Sequence, residues 1–261
     1  MQKFYFFLLT FFLVTGVQAQ RHDFAVGYGY NIPGRLMREG FNGSHNVLVD
    51  YRYSPKGIPA LSMGASMQYG SYASRRQPQF FTYPDGSLTQ TTVLLTSSTA
   101  SIAGTSRYVW RQRKKIRPFA ELHVGWFAIY SSYFIENPHI IDGLSLDRAT
   151  VHSDETYLLS AGTGLQFDLS GTDTKSRSKH SIELGVRSIR GGEVDFGNIR
   201  RIKPVSTATG VNPPANPRTI TLPNIATTRQ YQSSEMKLYS SPLRMVQVHV
   251  TYVYSLPVKR R

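Results

Sequence analysis

The chain has 261 residues, a formal net charge of +14 and no cysteine. The length suits one large domain or two small ones. The absence of cysteine excludes disulfides, thiolate metal sites, cysteine catalysis and a lipoprotein anchor, which needs a cysteine to acylate.

Residues 1–19 have the pattern of a secretory signal peptide. Lys3 supplies a positive start, residues 4–14 are apolar except for Thr10, and Val-Gln-Ala at 17–19 matches a small-x-small cleavage site. The apolar run is short for a membrane-spanning helix. We therefore predict cleavage after Ala19 and one domain over 20–261. In an exported protein, a basic excess favours anionic lipid or phosphate-rich surface glycolipid over nucleic acid as a partner.

Eight segments of the mature chain alternate apolar and polar residues, which is the period of a β-strand with two different faces. In chain order they cover 23–31, 45–54, 61–70, 91–111, 117–135, 157–168, 180–190 and 244–254. The fourth is less regular, and its pattern predicts a phase slip with a β-bulge near Ser97 and Ser98. No segment after the signal is apolar enough for a spanning helix.

The predicted connections alternate in length. Those after the second, fourth and sixth strands are short, whereas those after the first, third, fifth and seventh are longer, at 32–44, 73–90, 136–154 and 191–242. Short turns at one end and long loops at the other are typical of outer-membrane barrels. The sequence predicts an all-β fold, an eight-stranded antiparallel up-and-down transmembrane β-barrel, with 191–242 as the main external contact surface.

The two faces of these strands differ in composition. Aromatic residues gather near strand ends on the apolar face, as in interfacial girdles: Tyr28, Tyr30, Tyr51, Tyr53, Tyr69, Trp110, Trp126, Tyr130, Tyr157, Phe167, Tyr252 and Tyr254. The other face is glycine, serine, glutamine and a few charges, which suits a lumen. The alternative is a soluble, ligand-holding barrel of lipocalin type, with its polar residues outside.

Two predicted strands are longer than a membrane requires. The fourth and fifth approach 20 residues, although a spanning strand needs only about 9–11. Because their shared turn is short, we expect the excess to form a β-rich collar on the long-loop side, joined by Val194, Phe196 and Ile199.

Charged and polar residues on the inward face form the candidate site. Eight strands leave an interior that side chains just fill, and buried charges must pair because unpaired burial is costly. We predict a plug that closes the lumen, with a gated proton or ion path as the alternative. The members are Asp50, Arg52, Glu121, His123, Glu183, Arg187, Gln247 and His249.

Catalysis and metal binding have weaker support. His152-Ser153-Asp154-Glu155 begins the sixth strand, and Ser44-His45 begins the second, so both lie at the predicted rim. A serine hydrolase needs a base beside the hydroxyl and an acid that orients the base, but no G-x-S-x-G motif is present. His152 and Asp154 lack an evident third metal ligand. We expect no cofactor and no metal, and keep a lipid-modifying hydrolase with a rim His/Ser site as the alternative function.

Basic residues are placed at both ends of the barrel. Residues 111–117 and 259–261 fall on the short-turn side, where they suit an acidic partner or peptidoglycan. A second set falls in the last long loop, where it suits charge-assisted bonds to lipid phosphate: Arg190, Arg200, Arg201 and Lys203. For both sets the alternative is that they are solvated turn residues without a partner.

The signal peptide, the sorted loops and the closing strand RMVQVHVTYVY at 244–254 resemble the small bacterial outer-membrane β-barrel superfamily, in its outer-membrane protein A-like and PorT-like branches. The resemblance covers nearly all of the mature chain and implies a monomeric barrel in the cell outer membrane. Relatives serve as structural proteins, adhesins, secretion accessories and occasional lipid enzymes. We expect a structural or interaction protein that presents external loops, with an accessory role in secretion or surface assembly among the options.

Overall fold

The computed structural model describes residues 19–55, 58–82, 88–110, 115–136, 145–169, 179–197, 199, 203–204, 219–221 and 234–257. The strands are β1 (Ala19–Pro33), β2 (Ser44–Pro55), β3 (Leu61–Thr82), β4 (Leu88–Val109), β5 (Ile116–Glu136), β6 (Ser145–Asp168), β7 (Lys179–Gly197), β8 (Lys203–Pro204), β9 (Thr219–Thr221) and β10 (Ser234–Pro257). A short 3-10 helix, Met37–Glu39, lies between β1 and β2. In these ranges no helix has the length and hydrophobicity needed to cross a membrane.

Eight long strands close into a barrel. Each of β1 to β6 pairs antiparallel with the next strand, β7 pairs with β10, and β10 returns to pair with β1 from Arg21 opposite Pro257 to Pro33 opposite Met245. The short strands β8 and β9 pair with the first residues of β10. The predicted fold class is therefore confirmed, because the strand number, the antiparallel order and the closure all agree.

The last strand shows which face points inward. Val248 and Tyr252 are 48% and 46% exposed, whereas Gln247 and His249 are 0% and 6% exposed. Successive residues of a strand point to opposite faces, so the apolar face is outside and the polar face lines the lumen. A soluble barrel of lipocalin type would have the reverse arrangement.

The strands extend further on the long-loop side than predicted. β3 and β4 pair as far as Thr82 and Leu88, β5 and β6 as far as Glu136 and Ser145, and β7 with β10 as far as Gly197 and Leu238. Much of the predicted loops 73–90 and 136–154, and both ends of 191–242, is therefore strand. Their alternation was difficult to recognise because apolar residues there point inward, opposite to the rest of the barrel.

A bulge occurs at the predicted step, near Ser97 and Ser98, but it lies on β3, so the predicted phase slip in β4 is wrong. Odd-numbered residues point inward along β4 from Val93 to Val109 without interruption. The extra residue is Tyr72 on the neighbouring β3, at the step opposite Ser97 and Ser98. A bulge on one strand leaves its partner in phase, so the pattern of β4 alone placed the irregularity on the wrong strand.

On the long-loop side of this bulge, the barrel continues as a collar with an apolar interior. We define the collar as residues 72–82, 88–97, 131–136, 145–156, 192–197 and 234–243. Two buried apolar clusters fill it, one containing Val194 and Phe196 and the other containing Ile199. The connection 34–43 folds inward over the lumen, where Met37 and Phe41 are fully buried in the first cluster. The first cluster begins just below the collar, at Phe127, Leu158 and Ile189, so the inward side chains become mostly apolar before the collar starts.

Candidate functional site

One carboxylate pairs with two arginines inside the lumen, near the short-turn ends of β2, β4 and β7. Glu183 on β7 accepts hydrogen bonds from Nη1 of Arg107 at 2.7 Å and from Nη2 of Arg52 at 3.2 Å. All three side chains are almost fully buried. The guanidinium carbon of Arg107 also lies 3.4 Å from the ring centroid of Phe119, so a cation–π contact supports the same pairing. The group links β2, β4, β5 and β7.

A second carboxylate gathers the remaining bases. Glu121 Oε1 lies 3.5 Å from Nε2 of His123, 3.8 Å from Nε2 of His249 and 3.9 Å from Nη1 of Arg187. Nε of Arg187 donates to Oε1 of Gln247 at 2.6 Å. This joins the charged residues to a layer of amides.

The amide layer separates the charged groups from the apolar collar. Nε2 of Gln247 donates to Oδ1 of Asn31 at 2.6 Å and to Oε1 of Gln68 at 2.9 Å. Nδ2 of Asn31 donates to the hydroxyl of Ser44 at 3.0 Å, and Asn46 accepts from Thr99 at 3.2 Å. The lumen is thus filled in three layers, with charged, amide and apolar side chains in turn.

The structure brings seven of the eight predicted lumen residues into these two groups: Arg52, Glu121, His123, Glu183, Arg187, Gln247 and His249. Asp50 is only half-buried, and its Oδ1 has no hydrogen-bond partner among the described residues.

Arg107 and Phe119 were missed by the sequence reasoning. The expected phase slip in β4 concealed Arg107, although it continues the inward odd-numbered positions of that strand. Phe119 lies two residues before Glu121 on the inward face of β5. Unbroken alternation along both strands was the signal that would have found them.

The rim histidines do not assemble a hydrolytic site. His45 points outward, where it bonds the hydroxyl of Tyr28 and packs on Tyr30, whereas its neighbour Ser44 is buried on the inner face. Nε2 of His152 lies 2.9 Å from the carbonyl oxygen of Asp195. Within the described ranges neither histidine has a serine among its hydrogen-bond partners, and no three metal-ligating side chains come together.

His152 and Asp154 instead hold two strands together. The ladder between β6 and β7 ends at Leu158 opposite Gly191. Beyond it, Oδ2 of Asp154 accepts a hydrogen bond from the backbone N–H of Asp195 at 2.7 Å, and His152 reaches the carbonyl oxygen of the same residue. We call these three residues the β6–β7 clasp, because the side chains of His152 and Asp154 bond the backbone of Asp195 where the ladder has ended.

The predicted outer basic set is only partly visible. Arg190 is exposed on the outer face and lies directly opposite Arg244 of β10. Lys203 lies opposite Glu235. Arg200 and Arg201 fall outside the described residues.

The outer surface of the barrel is an apolar band between two aromatic belts. The upper belt, on the long-loop side, contains Tyr28, Tyr30, Tyr69, Trp126, Tyr130 and Tyr157, and the lower belt contains Phe24, Tyr51, Tyr108, Trp110, Phe167, Tyr252 and Tyr254. The predicted girdle residue Tyr53 is buried instead. Exposed valines, leucines and isoleucines lie between them. Along β6 the belts are about ten residues apart, which is the length of a membrane-spanning strand. Soluble monomers rarely expose so continuous an apolar surface.

Barrel closure, a filled polar lumen and a belted apolar exterior together define the architecture of the small outer-membrane β-barrels. No family model and no curated protein matches the chain. Among solved structures, it is similar to Neisserial surface protein A, with 8% identity over 91% of this chain and 96% of that one, and a TM-score of 0.35.

It is also similar to Ail, the attachment invasion locus protein of Yersinia pestis, with 10% identity over 90% of this chain and 99% of that one, and a TM-score of 0.33. A structure of Ail in complex with the heparin analogue sucrose octasulfate gives 11% identity over 88% and 97%, and a TM-score of 0.32. The likenesses are remote, so the fold assignment rests on the strand pairing itself.

Proposed function

We propose that the protein is an integral outer-membrane barrel with a closed lumen, which displays a folded collar at the cell surface and acts as a structural or interaction protein. The belted apolar band carries this proposal. In water such a surface is unfavourable, whereas in a bilayer it replaces lipid–lipid contacts at little cost. Closure of the sheet satisfies the backbone hydrogen bonds that lipid cannot.

The filled lumen supports a role without transport. Arginines neutralise the carboxylates of Glu121 and Glu183 inside the barrel, and Met37 and Phe41 cover the outer end. An ion entering this interior would have to break these buried ion pairs and displace packed apolar side chains. The proposal therefore favours a plug over a gated ion path.

The collar supports an interaction role. Its apolar interior gives it a core of its own, and the β6–β7 clasp holds one side together. A rigid platform loses little conformational entropy when a partner binds. The partner proposed here is another surface molecule, with the protein itself monomeric because the closed barrel has no free strand edge within the apolar band. Accessory work in secretion or surface assembly is one form that this role would take.

Reconstitution tests the proposal. The protein is refolded in phospholipid vesicles, insertion is followed by protection of the barrel from protease, and conductance is measured across a planar bilayer. We expect a protected barrel and no conductance steps. A chain that stays outside the vesicles would overturn the membrane assignment, and regular steps from an inserted barrel would overturn the closed lumen.

A further inference from the structure

Two exposed arginines lie directly opposite each other on neighbouring strands. Arg190 of β7 and Arg244 of β10 are cross-strand partners on the outer face. Within the described ranges neither guanidinium forms a salt bridge with a carboxylate. Like charges directly opposite each other destabilise a sheet. The pair therefore creates a local positive field that an anion between the two side chains would relieve.

The pair lies at the upper edge of the apolar band. The other cross-strand partner of Arg190 is Leu159, which is 51% exposed, and Tyr157 of the upper belt is the next outward residue on that strand. Toward the bilayer, Arg244 is followed on the outer face by Val246. Aromatic belts mark the depth of lipid headgroups, so both guanidinium groups are at headgroup level.

The first external connection adds two further arginines. The backbone N–H of Gly34 donates to the carbonyl oxygen of Arg244 at 2.7 Å, which fixes 34–38 against β10. Arg35 and Arg38 follow directly, and both are exposed. We call Arg35, Arg38, Arg190 and Arg244 the outer arginine cluster. The nearest acid along β7, Glu193, accepts a hydrogen bond from Ser240 on the collar side.

We propose that the outer arginine cluster binds the phosphate groups of an outer-leaflet glycolipid. A guanidinium matches phosphate with two parallel hydrogen bonds, and the adjacent valines and leucines contact the acyl chains of the same molecule. The inference rests on the proposed function, because the cluster meets lipid headgroups only when the barrel is inserted.

The test compares two double variants of the full chain in vesicles that contain a phosphorylated glycolipid or its dephosphorylated form. R190Q/R244Q removes the opposed pair. R75Q/R76Q makes the same charge change in the collar, away from the upper belt. Retained glycolipid is quantified by native mass spectrometry of the extracted protein. We expect the wild type and R75Q/R76Q to retain the phosphorylated form, and R190Q/R244Q to retain about tenfold less, as loss of a charge-assisted pair implies.

Each outcome separates this inference from the proposed function. An inserted R190Q/R244Q barrel that retains phosphorylated glycolipid as the wild type does would overturn the inference and leave the membrane assignment intact. Failure of the wild type to insert would overturn the proposed function first. Excess inorganic phosphate should not displace the lipid, because acyl contacts remain; full displacement would assign the cluster to free phosphate and contradict a lipid site.

Discussion

At the scale of single residues, Glu183 has the largest predicted effect on stability. It is the buried carboxylate shared by Arg52 and Arg107, so Glu183→Gln leaves two buried guanidinium groups without their counter-charge. We expect a loss of about 3–5 kcal/mol in the free energy of unfolding, as for other broken buried pairs. Urea unfolding in lipid vesicles, followed by tryptophan fluorescence, measures it.

Asp168→Asn is the matched control for that substitution. Asp168 pairs with Arg117 at 3.5 Å near the mouth of the barrel, and its side chain is more exposed than that of Glu183. Asp168 is partly exposed and the pair is longer, so the expected loss is smaller, about 2 kcal/mol or less. Equal losses for the two variants would show that the pairing of Glu183 contributes no more to stability than the pair near the mouth of the barrel.

Tyr72 makes the stability of the collar decrease at high pH. Burial raises the pKa of its phenol to about 12, and its hydroxyl donates to the carbonyl oxygen of Gly197 at 2.7 Å. Because the folded-state pKa is above the unfolded value, this stabilisation is complete below about pH 10 and is lost as the pH rises toward 12. Tyr72 lies three residues beyond Tyr69 of the upper belt, outside the membrane span.

The raised pKa of Tyr72 determines the result expected for Tyr72→Phe. At pH 8 the variant loses the hydrogen bond to Gly197, at about 1 kcal/mol. At pH 11 the difference in free energy of unfolding between the variant and the wild type becomes smaller, because ionisation of the buried phenol destabilises only the wild type. Urea unfolding in detergent micelles at both pH values measures this. A difference that is unchanged or larger at pH 11 would contradict the burial argument.

At the scale of elements, the β6–β7 clasp replaces a missing stretch of ladder. Asp154→Ala removes the acceptor for the N–H of Asp195, so residues 192–197 should open more readily while the barrel remains intact. Asp154→Asn keeps an acceptor oxygen and should largely restore the wild-type behaviour. The exposed Glu155→Gln is the control on the opposite face. Limited proteolysis in micelles reports collar opening; equal cleavage in all variants would count against the clasp.

Strands were predicted correctly from the sequence where each face of the sheet has a single environment, with lipid outside and the polar lumen inside. The strands between the two belts keep a strict alternation, and all eight were predicted. The collar was foreseen through Val194, Phe196 and Ile199, but its strand bounds were not. There the inward side chains turn apolar and bulges such as Tyr72 shift the register, so a period-of-two pattern no longer separates strand from loop.

At the scale of the whole molecule, the interior changes from polar to apolar along the barrel axis, from the membrane band to the collar. In the band between the belts the barrel is apolar outside and polar inside, while the collar encloses an apolar core. The sequence predicted seven of the lumen residues that pair, though not Arg107 or Phe119, because alternation decides which face a residue is on. It did not predict that Glu183 pairs with Arg52 and Arg107, or Glu121 with Arg187. Contacts across a barrel depend on the stagger of its strands, which a one-dimensional pattern does not contain.

Spin labels on single cysteines test the orientation of the barrel wall most directly, and the chain has no native cysteine to interfere. A label at Val248→Cys in vesicles should collide with lipid-soluble oxygen and be shielded from a water-soluble nickel reagent. A label at Arg76→Cys, in the collar, should show the opposite. If the label at Val248→Cys instead met the nickel reagent as freely as the collar label, the apolar face would be in water and the membrane-barrel account would be wrong.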